Sequence, residues 1–67
     1  MTDRAMTELA RAARLQEWAA HWTAGASAAV ADGRLGLAVS FQRLAEIESR
    51  TARYFMARAL RRAVDDE

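Results

Sequence analysis

Apolar residues recur at helical spacing along both halves of this chain, and Asp32-Gly33-Arg34-Leu35-Gly36 divides the halves. In the first half Ala5, Ala12, Ala19 and Ala26 repeat every seven residues, and Leu9, Gln16, Thr23 and Val30 repeat in step with them. Together they read as an a/d seam, with alanine at each a position admitting a second helix at close range. A second stripe, Leu15, Trp18, Trp22 and Ala29, runs beside the seam at helical spacing. One hairpin partner does not cover both stripes. Two tryptophans one turn apart on a leftover face predict a contact with another subunit or a partner protein.

The second half places Leu37, Phe41, Leu44, Thr51, Ala52, Phe55 and Ala59 on one face, flanked by Ile47 and Tyr54. Arg43, Glu46, Arg50, Arg53 and Arg61 fall on the far side, so the segment is amphipathic. The run Leu35 to Phe41 alternates with period two, but a lone strand has nothing to pair with, and it reads as helix. Thr2 or Asp3 suits the start of the first helix. Arg58, Arg61 and Arg62 suit the negative end of the second. Gly33 fits the left-handed residue that follows a helix end.

The pattern therefore predicts an all-α chain: one domain over 1–67, a helix over about 3–31, a bend over 32–36, a helix over about 36–64 and a short acidic tail, Asp65-Asp66-Glu67. The fold class is an antiparallel two-helix hairpin, each arm roughly 42–44 Å long at 1.5 Å per residue. Gly25 weakens a helix by about 1 kcal/mol relative to alanine. That leaves a three-helix alternative, with a break near Gly25.

Composition adds the expectation of a second copy. Below about 70–80 residues a single core rarely supplies more than roughly 3–5 kcal/mol. With no cysteine and one histidine, disulfides and thiolate or zinc-finger sites are excluded. The apolar fraction of 52% includes 17 alanines, which bury little area. Self-association of two hairpins into a four-helix bundle is the remaining common solution.

Glu48 interrupts the apolar face of the second half. A bend centred between Gly33 and Leu35 sets it level with the Ala19–Thr23 turn. A buried carboxylate needs a partner or a raised pKa. Gln16 or Thr23 across the hairpin, an arginine, or Glu48 of a second copy are the candidates. Glu17 and His21, four residues apart, read as a solvated helix-face pair rather than a metal site.

All ten basic residues are arginine, which fits the codon usage of a GC-rich bacterial genome, and the net charge of +1 creates no polyanion-binding field. No charged-then-apolar leader is present. The longest near-apolar run, Ala24 to Ala31, is far short of the ~20 residues that span a bilayer. A cytoplasmic protein without membrane contact is expected.

No phosphate-binding loop, nucleophile–base set or Glu-x-x-His motif occurs, and no cofactor is expected. Trp22-Thr23-Ala24-Gly25 does not match the Trp-x-Gly bend of secreted helical hairpins, since its glycine comes one residue late and the bend falls well beyond it. The expected function is that of a non-catalytic homo-oligomeric interaction protein, an adaptor, regulator or assembly subunit presenting a helical surface to a protein partner. One alternative is a dimeric nucleic-acid-binding hairpin using Arg43, Arg50, Arg53 and Arg61. Glu46 interrupts that stripe, and salt bridges among Arg43, Glu46 and Arg50 account for it without a ligand. Another alternative is an accessory catalytic or metal-binding bundle centred on Glu48.

Overall fold

The computed structural model describes residues 3–65. Two helices, α1 (Asp3–Ala31) and α2 (Leu35–Asp65), pack along their whole length as a hairpin, and the Cα envelope measures 52 × 13 × 10 Å. Thr2, Asp66 and Glu67, the alternative cap and the end of the acidic tail, lie outside the described residues.

The bend is shorter than the sequence pattern suggests. Gly33 takes φ 74°, donates its N–H to Val30 O at 2.9 Å, and the Arg34 N–H reaches Ala29 O at 2.8 Å. These two bonds close the end of α1 in the Schellman arrangement. The Arg34 carbonyl already accepts from Ala38 N at 3.0 Å. Arg34 therefore stands as the N-terminal cap of α2, and Gly36, expected in the bend, lies inside its first turn.

The two glycines should respond oppositely to alanine. Both have open space where a Cβ would stand, but only Gly33 has a positive φ. Gly36→Ala should stabilise by about 0.5–1 kcal/mol through helix propensity and lost unfolded-state freedom. Gly33→Ala should cost about 1–2 kcal/mol, the strain of a left-handed alanine. Urea midpoints of the two variants check the signs; equal shifts in one direction would contradict this bend.

α1 runs unbroken through Gly25, so the three-helix alternative does not hold. The compensation is tertiary. A Cβ on Gly25 would stand 3.1 Å from Phe41 Cδ2. The missing side chain is where the Phe41 ring packs, and this contact offsets the weak helix propensity.

The interior is a spine of alanines from both helices. Ala5, Ala12, Ala19 and Ala26 of α1 are buried, as the seam predicts, and so are Ala38, Ala45, Ala52 and Ala59 of α2. The second set also repeats every seven residues, and it replaces the expected interior of α2. Of the residues assigned to that face, Ala52 and Ala59 lie inside, whereas Leu37 and Leu44 are 38% and 39% exposed. Alanine against alanine lets two helices approach to the low end of the usual ~8–10 Å separation. At that distance large side chains do not fit between the axes and must lie over the flanks.

The flank of α1 also differs. Leu9 is half-buried, while Gln16, Thr23 and Val30 are exposed. The buried line beside the alanines is instead Glu8 and Ala29, with Leu15 and Trp22 half-buried between them. No side chain larger than alanine is fully enclosed among the described residues.

Candidate protein–protein interface

The narrow spine leaves large side chains on the flanks, and one broad side of the hairpin gathers an aromatic group. From α1 come Leu15, Trp18 and Trp22, and from α2 come Phe41, Glu48 and Phe55. Trp22 stacks on Trp18, with centroids 6.0 Å apart, and on Phe41 across the hairpin at 5.5 Å. His21 packs edge-on against both tryptophans, at 5.6 and 5.3 Å. Offset and edge-on aromatic pairs each add about 0.5–1.5 kcal/mol beyond area burial. Arg11 lies over the Phe55 ring at 5.1 Å. The result is an aromatic cluster of Trp18, His21, Trp22 and Phe41 tied across the hairpin, with Phe55 further along α2 under Arg11.

Of the predicted interface stripe, Leu15 and Trp22 are half-buried and Trp18 is 49% exposed. Ala29 is not on this surface. At 4% exposure it is enclosed between the helices, because its short side chain fits beside the spine. The two stripes of α1 part here: the alanines of the seam form the interior spine, whereas Leu15, Trp18 and Trp22 lie on this flank.

Glu48 is half-buried on the same side and lines a shallow depression with Arg11, Arg14, Leu15, Trp18 and Trp22. Its depression runs along α1 from Arg11 to Trp22, which sets Glu48 at the edge of the Ala19–Thr23 turn. Neither expected partner reaches it. Gln16 is exposed, and Thr23 donates its hydroxyl to Ala19 O of its own helix at 2.9 Å. Among the described residues Glu48 forms no ion pair within 4.0 Å.

The buried carboxylate is Glu8, which the sequence reading did not single out. It is 8% exposed, accepts from Arg62 Nε at 3.1 Å and lies 3.5 Å from Arg58 Nη2. Its Oε2 and Trp22 Nε1 are enclosed without a hydrogen-bond partner among the described residues. A signal for Glu8 exists in the sequence. It stands seven residues before Leu15 in the line Leu15–Trp22–Ala29, and Arg62 stands seven after Phe55. Both ends of one flank thus carry opposite charges at the open end of the hairpin.

The far side is more polar. Near the bend a shallow groove is lined by Val30, Leu35 and Val39, with Gln42, Arg43 and Glu46 at its margin. Ser49, Arg50 and Arg53 continue the arginine stripe beyond it. Arg61 is exposed. The salt bridges expected among Arg43, Glu46 and Arg50 do not form within 4.0 Å, and Arg53 Nε donates to Ser49 O at 3.5 Å. The i, i+4 Glu17–His21 contact is likewise replaced by the packing of His21 on the tryptophans. No group of three or more His, Cys, Asp or Glu residues placed to hold a metal occurs among the described residues. No helix among them is long and apolar enough to cross a membrane.

The chain matches no protein-family model, no curated protein and no solved structure.

Proposed function

We propose that this chain is a non-catalytic interaction protein. In this reading it self-associates through its aromatic side into a four-helix bundle and offers the outward helical faces, including the groove near the bend, to a protein partner. The observation that carries the reading is the inversion of the usual core. Alanines line the spine, while Trp18 is half-exposed and Trp22, Phe41 and Phe55 are only half-buried on the flank. The accessible area of 4997 Å² is roughly a fifth above the ~4,200 Å² expected of a compact monomer of this mass. That excess is about the ~800 Å² each partner gives up in a standard interface.

Trp18 is the residue to test, because it is half-exposed and stacks on its own helix. Trp18→Arg should preserve the helical circular dichroism while removing an anchor worth about 2 kcal/mol or more per copy. Sedimentation equilibrium should find a wild-type dimer at micromolar concentration and a largely monomeric variant. A folded wild-type monomer at those concentrations would sink the proposal.

The nucleic-acid reading retains one specific observation, the absence of ion pairs from Arg43 and Arg50 to Glu46. It predicts salt-dependent RNA or DNA binding that is lost when Arg43, Arg50, Arg53 and Arg61 are replaced. The reading centred on Glu48 as a metal or acid–base group has no second carboxylate or histidine lining its depression.

A further inference from the structure

The aromatic side carries a charge that a second copy would have to answer. Any partner covering Trp18 and Trp22 also takes Glu48 out of water, and a carboxylate enclosed without a cation costs several kcal/mol. Three arginines on this flank and at its open end are engaged. Arg58 and Arg62 hold Glu8, and Arg11 lies on Phe55. Arg14 is the exception. It is exposed, it lines the same depression as Glu48, and it forms no ion pair within 4.0 Å among the described residues. Each copy thus presents one half-buried carboxylate and one uncommitted guanidinium on the walls of one depression, about one helical turn apart in level.

Symmetry turns that juxtaposition into a specific contact. Two face-to-face arrangements obey two-fold symmetry. An axis across the hairpin puts the two bends at opposite ends. Because Glu48 lies near the midpoint of the 31-residue α2, this arrangement sets Glu48 against its own copy, carboxylate on carboxylate. An axis along the hairpin keeps the bends together and lays α1 of one copy over α2 of the other. It carries every residue to its own level, so each Arg14 stands within about a helical turn of the partner's Glu48, a gap that an extended arginine side chain spans. A face 52 Å long and two helices wide offers on the order of 1,000 Å², enough for the ~800 Å² per partner of a stable dimer.

We propose that the aromatic side is occupied by a second copy of this chain, bends together, with Arg14 of each protomer paired to Glu48 of the other. The inference rests on the self-association reading and adds its orientation and register. Buried pairs of this kind serve mainly to choose one arrangement over its rivals, since the wrong one leaves charges unanswered.

The test is a charge exchange between chains. Glu48→Arg alone puts two arginines together at both contacts, and Arg14→Glu alone puts two carboxylates together. Each should weaken self-association by about a hundredfold or more, given the several kcal/mol of like-charge contact. Mixed in equal amounts, the two variants restore opposite charges at both contacts. Sedimentation equilibrium and native mass spectrometry should show a heterodimer approaching wild-type affinity. A mixture that stays monomeric, or either single variant that dimerises like the wild type, overturns the pairing. A wild type that does not associate overturns the underlying reading instead, so the two failures are distinct. A second measurement needs no charge change. Nitroxide labels on Asp32→Cys should lie on the order of 20–30 Å apart, about two helix diameters. A separation near the 52 Å length of the hairpin would place the bends at opposite ends and exclude the arrangement.

Discussion

Enlarging the alanine spine is expected to unfold the protein. Ala12 and Ala52 are 0% and 1% exposed, both enclosed between the helices. Leucine at either position adds three carbons to a space that has no room for them. Overpacking of this kind costs about 1–3 kcal/mol per site. A chain of this size draws only roughly 3–5 kcal/mol from its core. Ala52→Leu should therefore lower the thermal midpoint sharply, and Ala12→Leu/Ala52→Leu should abolish the cooperative transition seen by circular dichroism. Two controls separate packing from helix propensity. Ala57→Leu is on the exposed side and should shift stability by no more than about 0.5 kcal/mol. Ala52→Gly keeps the helices close and should lose only about 1 kcal/mol. If the doubly enlarged chain melted like the wild type, the alanine spine could not be what sets the helix spacing.

The second large effect is an asymmetry at the open end of the hairpin. Glu8 is enclosed while its two arginines remain 40% and 30% exposed at the side chain. Removing both cations, as in Arg58→Ala/Arg62→Ala, strands a carboxylate that water hardly reaches. Breaking a fully enclosed pair costs about 3–5 kcal/mol. Partial exposure of the arginines reduces this, and a loss of about 2–3 kcal/mol is expected. Removing Glu8 is milder. Glu8→Met releases two arginines that already touch solvent, fills the site with apolar atoms and eliminates the unpaired Oε2. Its cost should stay below about 1 kcal/mol, because enclosed ion pairs give way to packed apolar groups at little or no loss. Denaturant unfolding of the two variants in one buffer measures the difference. Equal losses would show that the pair contributes through attraction alone and not through the desolvation of Glu8.

Most of the hairpin was legible in the sequence because its signals are local. A left-handed glycine after a periodic segment ends a helix wherever it occurs, and Gly33 did so. Seven-residue repetition of alanine in the first half correctly marked the inner line of α1. The same repetition at Ala38, Ala45, Ala52 and Ala59 was masked by larger neighbours. Phe41, Leu44 and Phe55 carry more hydrophobic weight than alanine, so the amphipathic direction of α2 points toward them rather than toward the line that α1 touches. Gly25 misled for a related reason. Its propensity argued for a break, but the space it leaves is filled by a ring from the other helix.

The candidate interface was legible only in part. Trp18 and Trp22 announced themselves as an apolar stripe with no partner in a simple hairpin. That Phe41 and Phe55 share their surface followed only once the alanines had set the rotation of both helices. Glu48 was noticed because it broke a pattern, whereas Glu8 extends the line Leu15–Trp22–Ala29 at the open end of α1, where a charged residue is easily read as solvated. Its burial comes from Arg58 and Arg62, which are distant in sequence and close only when the arms lie side by side.

By itself, then, the sequence determined the helical class, the place of the bend and the existence of apolar surface beyond what two helices need. Periodicity, glycine stereochemistry and chain length act residue by residue, and no tertiary contact is required to read them. Only the tertiary structure decided which face of α2 turns inward, which carboxylate is enclosed, and that the tryptophans and phenylalanines share one flank. Those outcomes depend on how closely two helices can approach. Closeness is a property of the pair, set by alanine meeting alanine across the hairpin.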